Sequence, residues 1–477
     1  MTTALALALL SCAAQEDLRV TTDRTVDARS LESIVRDVVR LSGAKTNDEK
    51  AIAIHDWLHQ AIFHHPYPVE KPPASVGPLK VLNVYGWGLC GGQHTVLKAL
   101  FEAAGWTVRF RGWSDPGHTT IEVLYDGRWH YFDVFLKCYF WMKDRSTIAG
   151  QDDIVKDPSI VLDALKEKRV PASHYLACGD DAEGIVRGCR NSKAHPPSTP
   201  ENGGMSVTGR DRDYAPRLRL PAGATLRLEW KGEPGKMAVD GKGLHTCGNR
   251  DFRSDPVLGP LLEHYGPRSH SNGTFTYAPD FSRSADVADV ALEAASAKDG
   301  RLAATGAGRA VFDLSLPYAY VEARVDAAFE GGEGRLSVST DGGKTWRPAP
   351  SGDLGPLVRQ AYAVKLKAEF PGALTRLRVE AVVEHNRGVL PYLLPGANAV
   401  TVSAAAPLAG DREVAVAYVF QEATAPARTR WDGRGVAYAE PRTVRRVLTR
   451  LPETFTIEVG GNTPPRMLSL EMSAAGR

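Results

Sequence analysis

Apolar side chains recur every three or four positions in three stretches of the first 105 residues, and then at every second position. Leu31, Ile34, Val35, Val38 and Val39 follow Ser30, which predicts an amphipathic helix with a serine cap. Thr46-Asn47-Asp48-Glu49 has capping-box spacing, and Ile54, Trp57, Leu58, Ala61 and Ile62 form the stripe of a second helix. The proline-rich run from His65 to Pro78 cannot be helical and reads as an ordered loop. Val96, Leu97, Leu100, Phe101 and Ala104 predict a third helix that begins near Cys90 and ends at Gly105 in a left-handed turn. Beyond Gly105 the period falls to two, over Trp106–Phe110, His118–Tyr125 and Arg128–Phe135. Asp126-Gly127 between the last two is a strong hairpin signal. Helices followed by antiparallel strands make an α+β unit.

The remainder is strand-like almost throughout. Arg217–Leu220, Thr225–Trp230, Tyr318–Val325, Gly334–Ser339, Leu374–Val382, Ala399–Val402 and Val414–Phe420 are short alternating runs punctuated by glycine and proline, the pattern of β-sandwich modules. The expected fold class is therefore multidomain, an α+β core followed by all-β modules. Its boundaries are a leader over 1–14, the α+β domain over 25–185, a linker over 186–210, a small β-rich region over 211–285 and a β-sandwich over 290–477.

At 477 residues, 43% hydrophobic and 24% charged, the chain has the balance of a folded globular protein. Its net charge of +2, without a long Lys/Arg block, gives no electrostatic case for a nucleic-acid partner. No window approaches the apolar length of a transmembrane span. The apolar run Ala4–Leu10 and the small residues after it resemble a secretory leader, and Leu9-Leu10-Ser11-Cys12 resembles a lipobox that would lipidate Cys12. Export is the expected fate: secreted, periplasmic or lipid-anchored. With Cys12 and Cys90 set aside, Cys138, Cys178, Cys189 and Cys247 are either disulfide partners or separate buried thiols.

The candidate chemistry lies between Gly88 and Val134. A cysteine at a helix start sits where unpaired N–H groups and the helix dipole favour the thiolate. A nucleophile also needs a base, and the base needs an orienting acceptor. If Asp126-Gly127 is a two-residue turn, His118 and Asp133 become diagonal neighbours on one face of the hairpin, unless a bulge intervenes. Oxyanion donors would be the Cys90 N–H, with Tyr85 or Trp87 as a second source.

Gly88-Leu89-Cys90, the helix ending in Phe101-Glu102-Ala103-Ala104-Gly105-Trp106, His118 with Glu122-Val123, and Gly127-Arg128-Trp129-His130-Tyr131-Phe132-Asp133 together resemble the core of the transglutaminase-like superfamily. The match covers roughly Ala51 to Val134. Thr119-Thr120 stands where many members have Ala-Trp, and Val134 where many have Pro, the marks of a divergent branch. The resemblance implies a papain-like fold with Cys90 as nucleophile, His118 as general base and acid, and Asp133 as its orienter. It implies a cysteine peptidase, amidase or transglutaminase-like acyltransferase acting on protein or peptide amides, without cofactor or metal. The other class is a non-catalytic adhesion or scaffold protein that keeps the fold and uses β-sandwich modules for binding, including glycan or cell-envelope contact.

Two further motifs carry weaker chemistry. His55-Asp56-Trp57-Leu58-His59 puts two histidines one turn apart, as in a zinc-protease helix with Asp replacing Glu, although a third ligand does not stand out. Ser339-Thr340-Asp341-Gly342-Gly343-Lys344-Thr345-Trp346 has the Asp-box pattern and reads as a hairpin clasp. Trp230, Tyr320 and Trp346 read as packing residues before glycan-binding ones.

Overall fold

The computed structural model describes residues 17–64, 68, 70, 75–115, 117–167, 182–194, 207, 209–233, 235–239, 271–349, 352–408, 410–424 and 437–477. The expected leader, with Cys12, lies outside the described residues, as do Cys178, Cys247 and much of the expected linker. The composition is mixed α and β with large antiparallel sheets. No helix among the described residues is long and apolar enough to cross a membrane.

The sequence signals place the N-terminal helices. Helix α1 (Leu31–Ser42) is capped by Ser30, whose hydroxyl accepts the Ser33 N–H at 3.0 Å. Helix α2 (Asn47–Ala61) starts with a reciprocal box: Thr46 accepts the Glu49 N–H at 3.2 Å and Glu49 accepts the Thr46 N–H at 2.9 Å. Helix α3 (Cys90–Ala103) is followed by Gly105 at φ +89°. Strands β1 (Thr107–Ser114), β2 (Gly117–Tyr125) and β3 (Arg128–Phe132) form an antiparallel meander, extended by Lys193–Ala194 beside β1. Asp126 and Gly127 both have positive φ, 48° and 74°, which is the geometry of a two-residue hairpin turn. Helices Gln151–Lys156, Ser159–Lys166 and Ala182–Arg190 cover the outer face of the meander, and the last crosses the expected domain edge at 185.

The C-terminal half is built on one 13-stranded antiparallel sheet system. Ala224–Glu229 pairs with Arg466–Gly476, and Ser271–Tyr277 pairs with Ala373–His385. Strands from the expected 211–285 region thus share ladders with strands of the expected 290–477 sandwich. An N-terminal strand, Arg19–Thr22, pairs with Gly396–Ser403 and so belongs to the β half. Phe275, Tyr277, Phe312, Tyr320, Leu366, Tyr418 and Phe420 fill its core. The Asp-box turn is a clasp: Asp341 accepts the Lys344 and Thr345 N–H groups at 3.0 and 2.9 Å, and the Thr345 hydroxyl at 2.6 Å.

The two halves meet through buried polar contacts close to the start of α3. Asn386, after the long strand 373–385, donates to the carbonyls of Ala61 and Leu82 at 2.9 and 2.7 Å, and its own N–H reaches Asn83. Gly86, at φ +70°, passes so near that a β-carbon there would lie 2.5 Å from the Asn386 amide. Glycine is required both for the left-handed backbone and for the approach.

Candidate active site

Leu89, extended at φ −71° and ψ 173°, starts α3 without offering a side-chain acceptor. The first-turn N–H groups of Cys90, Gly91 and Gly92 therefore have no side-chain cap, and they give that end its positive character. Cys90 is half-buried there. His118, the second residue of β2, packs among Trp113, Phe135 and His94, with ring centroids 5.1, 5.3 and 5.6 Å away.

The hairpin ladder runs from Tyr125↔Arg128 to Ile121↔Phe132 without a bulge, so alternation holds and Asp133 leaves β3 on the His118 side. His118 Nε2 lies 2.6 Å from Asp133 Oδ2. The chain then curls: Asp133 exchanges both backbone hydrogen bonds with Cys138 at 2.9 Å, and its Oδ1 accepts the Leu136 N–H at 2.7 Å. The Tyr131 hydroxyl donates to Oδ2 at 3.2 Å. With Nε2 committed to Asp133, Nδ1 is the His118 nitrogen left to face the nearby Cys90 thiol. The Thr119 backbone also lies near that sulfur.

The electrostatics follow from this contact chain. Burial alone pushes the Cys90 thiol up, but the His118 hydrogen bond and charge, with the Thr119 N–H, bring it below the ordinary 9.0. Burial pulls His118 down, whereas the charge of Asp133, its hydrogen bond and Cys90 carry it to about 10. Burial opposes ionisation of Asp133 too, and the charge and hydrogen bond of the facing His118 hold it well below the usual carboxylate range. Tyr131 is driven well above 10 by burial and then by Asp133, so it remains a donor. The arrangement favours a thiolate beside an imidazolium, the pair needed for attack on a carbonyl carbon.

Tyr85 and Trp87 are engaged elsewhere. The Tyr85 hydroxyl donates to Glu70 at 2.6 Å, and the Trp87 indole faces the Glu384 carboxyl of the β half. Of the expected oxyanion donors, this leaves the Cys90 N–H at the uncapped start of α3. His55 Nε2 lies 2.9 Å from the Asp133 carbonyl and His59 Nδ1 lies 3.0 Å from the Val134 carbonyl. Carbonyls only accept, so those nitrogens carry protons and face the Asp133 turn rather than a shared metal position. Among the described residues, the cluster with ligand atoms close enough for an ion is His94, His118 and Asp133, within 4.8 Å of one another. Its donor atoms already bond one another and the neighbouring backbone, so an ion would have to displace those bonds. Cys138 and Cys189 are buried, and neither forms a disulfide among the described residues.

Sequence reasoning did not assign His94, the Thr119 N–H or Tyr131 to the site. His94 was open to discovery as the residue one helical turn after Cys90; the other two depend on tertiary closure. Compared with known proteins, the chain matches no family model and no curated protein.

Proposed function

We propose that the protein is an exported thiol-dependent amide hydrolase or acyltransferase of the transglutaminase-like type, with a papain-like α+β core and a Cys90, His118, Asp133 triad. The observation that carries this reading is the buried 2.6 Å contact from Asp133 to His118, which leaves the other ring nitrogen for a cysteine nearby at an uncapped helix start. The Cys90 thiolate attacks a protein or peptide amide carbonyl, and the tetrahedral oxyanion takes the Cys90 N–H. The C–N bond breaks as the His118 imidazolium gives its proton to the departing ammonia or amine, leaving a thioester. Water or a second amine, deprotonated by His118, then attacks the thioester and releases Cys90. The β half supports the site and supplies contact with glycan or cell-envelope material.

The test is ammonia release from glutamine-containing protein, with and without added amine, in wild type and Cys90→Ala. Release should fall by about 10³-fold or more in the variant. Equal release by both proteins refutes the reading, and dependence on the amine distinguishes transfer from hydrolysis.

A further inference from the structure

His94 stands one turn beyond Cys90 in α3 and is wholly buried. Its Nδ1 lies 2.7 Å from the carbonyl of Cys90 itself. Because that oxygen can only accept, Nδ1 carries the proton. Nε2 then presents a lone pair, to which the Val134 N–H donates at 3.3 Å. The ring is a crosspiece from the backbone of the nucleophile to the backbone of the residue after Asp133.

The same Nε2 lies 3.4 Å from Asp133 Oδ1, while Oδ2 meets His118 at 2.6 Å. In the Nδ1–H tautomer, any swing of the carboxylate toward His94 drives an anionic oxygen onto a lone pair. The carboxylate is thus kept on His118. A second proton on Nε2 reverses this, since Nε2–H would donate to Oδ1, compete with His118 and abandon Val134. The titratable groups around the ring are Cys90 on its own helix, His118 on β2 and Asp133 after β3. Tyr131 reaches the carboxylate from below, and His55 of α2 holds the Asp133 carbonyl. Val134 has its own part in this. The resembled family commonly has proline there, and proline would have no N–H to give His94.

We propose that His94 is a positioning residue for the thiol chemistry: as the Nδ1–H tautomer it fixes the spacing between the start of α3 and the Asp133 turn, and confines the Asp133 carboxylate to His118. This rests on the triad reading above.

The experiment is the pH profile of Cys90 alkylation by iodoacetamide in the full chain, which requires no knowledge of the substrate. Wild type should inflect below the ordinary thiol value of about 8.5. In His94→Leu, which removes both bonds, the inflection should rise by about one pH unit or more and the rate at pH 6 should fall about tenfold or more. His94→Gln, whose amide offers an NH2 donor and a carbonyl oxygen of similar reach, should restore most of the rate. His94→Asn, able to reach the Cys90 carbonyl but too short for Val134, should behave like His94→Leu and decides the matter if the leucine variant does not fold. A folded His94→Leu or His94→Asn protein whose profile overlies the wild type, whatever its melting temperature, overturns the proposal. Failure of the triad reading has a different signature: an ordinary thiol profile in wild type, unaltered by His118→Ala.

Discussion

Glu384 belongs to the β half, yet its carboxyl lies beside the Trp87 indole three residues before Cys90, and the Ala238 N–H donates to its Oε2 at 2.6 Å. It has no exposed surface, and burial, outweighing the Ala238 N–H, Trp87 and Arg359, lifts its pKa from 4.5 to about 8. A folded-state value above the unfolded one means that the folded protein binds more protons between those limits. The stabilising contribution is therefore complete below pH 4.5 and is lost as pH rises through about 8. At about 1.4 kcal/mol per pH unit, the loss is on the order of 5 kcal/mol at most. Glu384→Gln keeps the carbonyl for Ala238 and cannot ionise. Urea unfolding followed by tryptophan fluorescence from pH 5 to 9 should show wild type losing stability with rising pH, and the variant losing less by an amount approaching that figure. Parallel curves for the two proteins would refute the assignment of a neutral buried carboxyl to this position.

Three further outcomes are expected. Asp133→Asn leaves burial to pull His118 down without the carboxylate that raises it to about 10, so the upper limb of the activity profile moves to lower pH. Cys90 alkylation at neutral pH should then slow on the order of 10- to 100-fold in that variant. Gly188→Ala places a β-carbon 2.2 Å from the Trp113 ring, which packs against His118. It should cost about 1–3 kcal/mol in urea unfolding and lower activity in the folded fraction. Asn386→Ala strands the buried carbonyls of Ala61 and Leu82 and should destabilise by about 2–4 kcal/mol, again by urea unfolding.

Local chemistry made much of the first domain legible. Ser30, Thr46 with Glu49, Gly105 and Asp126-Gly127 act on their own few residues, and each marks the element boundary its chemistry requires. The hairpin turn propagates that accuracy, because a two-residue loop fixes register and register fixes which side chains share a face. His118 and Asp133 were therefore open to placement from alternation. What alternation cannot supply is the partner of a buried polar atom from a distant segment. Nothing near Trp87 in the chain points to Glu384, and nothing near Arg19 announces pairing with the strand at 396–403. The division of the β half was equally out of reach, since short strands of similar composition do not reveal which ladders they join.

The segment leading to the nucleophile is fixed from both directions. From the β half, Tyr362 and, from the near side, Tyr85 each donate to Glu70 Oε1 at 2.6 Å, while the Lys80 ammonium closes on Oε2 at 2.7 Å and lies 4.7 Å from the Tyr362 ring centroid. A carboxylate and an ammonium out of water are tolerated when other hydrogen bonds satisfy them, as the tyrosines and the Ser75 carbonyl do here. Removing a single partner leaves an uncompensated buried charge, at a cost of about 3–5 kcal/mol. Residues 80–87 are thus held by Tyr362 and Asn386 on one side and by α2 on the other. The start of α3 inherits that rigidity, on which the proposed attack of Cys90 on a substrate carbonyl would depend. The β half is accordingly part of the framework that holds the start of α3.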